Sequence, residues 1–128
     1  METFQRKPRE FFDTTPHPTH VTFDDAKDWR RNFPWSHYGC AFWSYADPDT
    51  IRVEIDEWLI MISGHNLGPL FRAIEEHSLV RVCAHPEWEH DRDRGPDTFA
   101  TGIRFVHLSA LAPTGKGKPP RQLDLGLA

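Results

Sequence analysis

The sequence predicts an α+β domain: a mostly antiparallel sheet of about five to six strands, with one main helix over residues 67–77 packed on one face. Three observations carry this. Ile51-Arg52-Val53-Glu54-Ile55 alternates apolar and polar with period two, the signature of a half-buried strand. Trp58-Leu59-Ile60-Met61-Ile62 is a continuous apolar run, expected for a central strand covered on both faces. Leu67, Leu70, Phe71 and Ile74 recur at i, i+3, i+4 and i+7, which is one buried helical stripe.

The elements follow in chain order. Residues 1–19 read as an extended arm. Pro8, Pro16 and Pro18 interrupt it, each removing a backbone donor and pushing its neighbour toward extended conformations. The Phe11-Phe12 pair is apolar enough to dock on the domain, so partial order is expected. The domain proper spans residues 20–110. It opens with a short strand at His20–Phe23, ended by Asp24 and Asp25, and Asp25 or Asp28 is placed to cap the turn that follows. The stretch Trp29–Tyr45 holds seven of the sixteen aromatic residues and reads as a strand from Tyr38 onward. Asp47-Pro48-Asp49-Thr50 has the chemistry of a type I turn. With a reversal at Asp56-Glu57, residues 38–63 form a three-stranded antiparallel meander.

Gly64-His65-Asn66 breaks the last strand of the meander. Asn66 is the expected helix N-cap, Pro69 falls in the first turn, and His77 lies at the C-terminal end. Leu79–Ala84 is a further strand, with Val80, Val82 and Ala84 on one face. His85–Asp97 is a polar, acidic loop. Phe99–Leu108 is the last strand, and its Gly102 marks a bulge. From Ala112 the composition turns to Pro, Gly and Lys, so residues 111–128 read as a linker and C-terminal tail.

Composition narrows the function. The net charge of −4 speaks against direct nucleic-acid binding through a basic surface. No apolar run approaches the length of a membrane-spanning helix. The N-terminal residues lack the apolar core of a signal peptide, and Cys40 and Cys83 make no disulfide framework, so a cytoplasmic protein with free thiols is expected. No phosphate-binding loop, dinucleotide fingerprint or nucleophile elbow occurs. A Cys40–His37 pair would lie within the aromatic strand, where an inert thiol is the plainer reading. The expectation is a small binding or adaptor module with no cofactor, rather than an enzyme.

The tail offers the sharpest motif. Gln122-Leu123-Asp124-Leu125-Gly126-Leu127 carries three of the chain's nine leucines at alternate positions after a solvated linker. Alternating leucines in an extended segment need a groove or a sheet edge. The segment resembles the bacterial sliding-clamp-binding motif in its form Gln, Leu, any, Leu, any, Leu. The resemblance covers six residues. It implies that Gln122 enters a small polar pocket, that Leu123, Leu125 and Leu127 fill a hydrophobic cleft on the clamp, and that the chain is an accessory protein in DNA replication or repair. The alternative is that the tail adds an edge strand to the chain's own sheet.

Three other constellations are weighed. Cys83, His85 and His90, with Glu87, have zinc-ligand chemistry and would support a metal-dependent enzyme, though their spacing matches no recognised site and a polar surface loop is the plainer reading. His65 and Asn66 at the helix start could hold an anion, against the simpler reading of a tight strand-to-helix turn. In the aromatic segment with Arg30 and Arg31 most rings are needed for the core, and an exposed remainder, Trp35 or Tyr38, is expected to supply a partner hot spot. An acidic immunity or regulatory protein, acting through this segment or the 85–97 loop, is the third reading.

Overall fold

The computed structural model describes residues 12–88 and 97–111. Eight strands and one helix lie in these residues. They are β1 (Phe12–Thr14), β2 (His20–Asp24), β3 (Arg30–Pro34), β4 (Tyr38–Ser44), β5 (Asp47–Ile55), β6 (Trp58–His65), α1 (Gly68–Glu75), β7 (Leu79–Cys83) and β8 (Phe99–His107). Short 3-10 turns occupy Trp35–His37, Pro86–Trp88 and Leu108–Ala110. The α+β class, the antiparallel bias and the helix are as the sequence predicts.

The strands do not form one sheet. They form two four-stranded sheets, in the orders β1-β7-β2-β3 and β4-β5-β6-β8. Pro34 ends β3, and the 3-10 turn at Trp35–His37 carries the chain out of the first sheet and into the second. The first sheet is closed by a parallel pairing of β2 with β7, Thr22 opposite Arg81, which no local pattern announces. Its outer strand β1 lies inside the expected arm: Phe12 pairs with Val82 and packs against the core. Among the described residues one backbone bridge joins the sheets, Ala84 to Ala100, and the His85 amide donates to the Ala100 carbonyl at 2.8 Å.

The inner faces of both sheets share one core. Val21, Phe23 and Phe33 come from the first sheet, and Ile51, Val53, Ile55, Ile60, Ile62 and Ile103 from the second. Leu67, Leu70, Ala73 and Ile74 add the buried face of α1 and the residue before it. Each such aliphatic or aromatic side chain contributes about 1.5–3 kcal/mol when fully removed from water. The β6 run is buried on alternate residues, Ile60 and Ile62 fully and Leu59 and Met61 in part, so its second face is half open rather than covered.

The meander forms as expected, but its first turn is shifted. Ser44 pairs with Asp47, so Tyr45-Ala46 make the reversal, and the Ala46 amide donates to Ser44 Oγ at 3.0 Å. Asp47–Thr50 belong to β5, where the register jumps between Trp43 and Ser44. Pro48 therefore sits at a bulge, a place where a strand tolerates a missing donor. The second turn uses Asp56 in the left-handed region, at φ 63°.

Two glycines behave as their surroundings require. The β6–β8 register shifts where Ser63 faces Gly102 and Gly64 faces Ala100, leaving Thr101 as the extra residue beside the expected bulge glycine. At Gly64 a Cβ would fall 2.2 Å from the Phe99 carbonyl oxygen and 2.8 Å from the Ala100 Cα, so β8 passes where a side chain would stand.

The helix starts one residue later than the capping pattern suggests. Leu67 is the N-cap and has no side-chain acceptor, while Asn66 takes φ 51°. The C-terminus is a Schellman arrangement. The Ser78 amide donates to Ala73 O and the His77 amide to Ile74 O, both at 3.0 Å, with His77 at φ 54° in the position usually given to glycine.

Candidate binding surface

β4 is an edge of the second sheet among the described residues, with β5 as its neighbour. Edge strands expose unpaired amides and carbonyls, and natural sheets usually blunt them with charge, proline or a bulge. β4 reads Tyr-Gly-Cys-Ala-Phe-Trp-Ser and carries no charge. Phe42 and Trp43 are each 38% exposed, and Tyr45 stands fully in solvent at the turn that ends the strand.

The register explains how these rings come to face water. Phe42 pairs with Arg52, whose neighbours Ile51 and Val53 point into the core, so Phe42 lies on the outer face. Across the four strands its row continues to Met61 and Arg104. The adjacent row is Cys40, Glu54, Leu59 and Val106. The outer face of this sheet is thus a mix of apolar groups with Arg52, Arg104 and Glu54. Trp43 lies on the inner side but beyond the core's rim. Its ring packs on Phe71 of α1 at 5.4 Å, and its indole N–H donates to the Pro48 carbonyl at 2.9 Å.

The residues singled out from the sequence are distributed differently. Trp35 is 6% exposed, and its indole donates to the Leu79 carbonyl at 3.0 Å. It is a core residue, because the 3-10 turn tucks it between the sheets. That corrects the expectation that it stands exposed for a partner. Tyr38 is half-buried against it at 5.5 Å. Burial pushes the Tyr38 hydroxyl above its ordinary range, and the neighbouring Cys40 and Glu75 push the same way. The exposed aromatics are Phe42 on the outer face, Trp43 at the rim of the inner face, Tyr45 at the turn and, on β3's approach, Trp29. A two-residue turn at Tyr45-Ala46 continued without a break would pair Cys40 with Ile51 and turn Phe42 inward, and a turn at Asp47–Thr50 would also turn Phe42 inward. The register jump between Trp43 and Ser44 is what sets Phe42 opposite Arg52.

Cys83 and His85 lie near the end of β7 but serve different surroundings. Cys83 Sγ approaches the Ala84 carbonyl at 3.5 Å. Burial raises its pKa, and the nearby Asp24 carboxylate raises it further. Asp24 itself is held by Arg81 at 3.3 Å and Arg30 at 3.5 Å. His85 approaches Glu87 at 3.4 Å and stacks on Trp88 at 4.2 Å. Trp88 meets Phe99 edge-on, and Phe99 stacks on His65, so His65 and His85 end one ladder of rings. The Asn66 carbonyl accepts from Thr98 Oγ1 at 2.6 Å. Among the described residues no three His, Cys, Asp or Glu side chains are grouped to hold a metal ion. His90 and the tail residues Gln122, Leu123, Leu125 and Leu127 lie outside the described residues.

Among the described residues no helix is long and apolar enough to cross a membrane. In comparisons with known proteins, no family model, no curated protein and no solved structure matches this chain.

Proposed function

We propose that the protein is a small protein-binding module that docks on a partner through the β4 edge, with the Gln122–Leu127 segment as a second docking element. The observation that carries this reading is the uncharged β4 edge with Phe42 and Tyr45 open to solvent and Trp43 part-exposed at its rim. An extended partner strand gains main-chain hydrogen bonds along such an edge, and aromatic side chains supply the apolar anchors. The tail supplies the partner's class. By its resemblance to the clamp-binding motif, that partner is the bacterial sliding clamp, and the role is that of an accessory protein in replication or repair. Two linked elements on one partner raise the overall affinity beyond either alone, because the second contact forms at high effective concentration.

Calorimetric titration of a purified bacterial sliding clamp tests this. The full chain should bind saturably, and a chain ending at Arg121 should bind markedly more weakly while keeping its melting temperature. A Phe42→Lys variant should bind roughly tenfold more weakly, in line with the loss of an apolar contact at an interface. Absence of heat from the full chain would remove the clamp. Equal binding by the full and shortened chains would remove the tail.

A further inference from the structure

Arg31 sits on β3 opposite Phe23, at the seam between the two sheets. Its guanidinium carbon lies 4.3 Å from the ring centre of Trp29, 4.2 Å from that of Trp58 and 5.3 Å from that of Phe105. Rings from the turn before β3 and from the second sheet therefore close in on one cation. Attraction between the cation and the ring faces stabilises it there without an acid. Its Nε is buried and makes no hydrogen bond. Among the described residues no carboxylate pairs with it. The adjacent Arg30 takes Asp24 at 3.5 Å, and Glu57, next to Trp58, is held by His107 at 3.5 Å.

The chemistry of this arrangement is specific. A guanidinium donates its five N–H bonds in its own plane, and aromatic stacking uses its faces; with Nε buried, the two Nη groups are the edge left for a ligand. The partner that fits a planar fork of donors is a planar fork of acceptors, a carboxylate. A second observation points the same way. Trp29 is 55% exposed, yet it is not loosely placed. Its amide donates to Asp25 Oδ1 and its carbonyl accepts from the Asp25 amide, both at 3.0 Å. The turn thus holds a large ring in the open above Arg31, where it costs little further ordering to cover a ligand.

We infer that Arg31, walled by Trp29, Trp58 and Phe105, is a carboxylate-binding site that receives the carboxylate of an incoming peptide. The site is separate from the β4 edge and does not depend on it. The carboxylate can come from a peptide C-terminus or from an Asp or Glu side chain, and the two sources share the same recognition.

The experiment follows the indole N–H resonances of Trp29 and Trp58 in the full chain by two-dimensional NMR. Four peptides are titrated: acetyl-Ala-Gly-Ala as the free acid, the same peptide as its amide, acetyl-Gly-Asp-Gly-amide and acetyl-Gly-Asn-Gly-amide. Saturable shifts are expected from the free acid, from the Asp peptide, or from both, and which of them acts identifies the source. The amide and Asn peptides should give none. Arg31→Lys keeps the charge and removes the planar fork, and should weaken binding at least tenfold. Trp29→Ala, at an exposed position, should weaken it several-fold with the fold intact. No saturable shift from either carboxylate, equal shifts from the amide and Asn controls, or undiminished binding by Arg31→Lys would each overturn the site.

Discussion

The indole of Trp35 lies nearly flat on the imidazole of His77, with ring centres 4.6 Å apart and planes 10° apart. Tyr38 meets the same imidazole edge-on at 4.7 Å. The contact joins the corner where the chain changes sheets to the end of the helix. It also accounts for a histidine at φ 54°, where glycine is the usual residue.

This pairing predicts different results from two substitutions at one position. A non-glycine residue in the left-handed region costs about 1 kcal/mol, and an aromatic pair contributes about 0.5–1.5 kcal/mol. His77→Gly relieves the first and loses the second, so its stability should stay within about 0.5 kcal/mol of the parent chain. His77→Ala keeps the strain and loses the stack, and should destabilise by about 1–2 kcal/mol. Urea unfolding of the two variants measures the difference.

Asp25 organises the turn after β2. Its Oδ1 accepts from the amides of Lys27, Asp28 and Trp29 at 2.8, 2.9 and 3.0 Å. Burial alone would raise its pKa, but these three amide donors, helped by the Lys27 charge, outweigh it and hold the carboxyl below its ordinary 3.8. A lowered folded-state value stabilises the ionised form. The contribution is present above the unfolded value and is lost as pH falls through the lower folded one. Asp25→Asn should therefore be less stable than the parent chain at pH 6, and the gap should shrink below pH ~4. Denaturant melts across that range check it.

Gly64→Ala should be costly although its backbone angle is unremarkable. The added methyl would meet the Phe99 carbonyl and the Ala100 Cα, both backbone atoms of the neighbouring strand. Overpacking against backbone costs about 1–3 kcal/mol. Thermal melting should show a drop of several degrees, and loss of the β6–β8 amide protection should accompany it.

Cys83 should be a slow thiol. Burial and the Asp24 carboxylate both disfavour its thiolate, which is the reactive form. In a Cys40→Ser chain, alkylation of Cys83 by iodoacetamide at pH 8 should run roughly tenfold slower than that of free cysteine. A rate equal to or above free cysteine would contradict the described surroundings.

The meander and the helix were legible because their signals are local. The Ile51–Ile55 alternation fixes which face is buried, and the Leu67–Ile74 spacing fixes the helical stripe. The turn at Tyr45-Ala46 was not legible, because Pro48 and its aspartates have turn chemistry yet sit at a bulge that tolerates proline. The split into two sheets was hidden for a different reason. It rests on β2 pairing in parallel with β7, between residues such as Thr22 and Arg81 far apart in the chain. The strand β3 is masked by its own composition, since Arg30, Arg31 and Asn32 look like surface loop. Arg31 is instead drawn to the seam by Trp58 and Phe105 of the other sheet. The exposure of Phe42 follows from the register, and the register follows from the bulge at Pro48 beside the displaced turn.

Amide hydrogen exchange across β4, with and without the sliding clamp, tests the central proposal of edge docking most directly. The account predicts that amides within Tyr38–Ser44 that exchange quickly in the free chain become protected on binding, as they do when a strand is added to an open edge. Protection confined to residues 122–128, with β4 exchange unchanged in the complex, would contradict it.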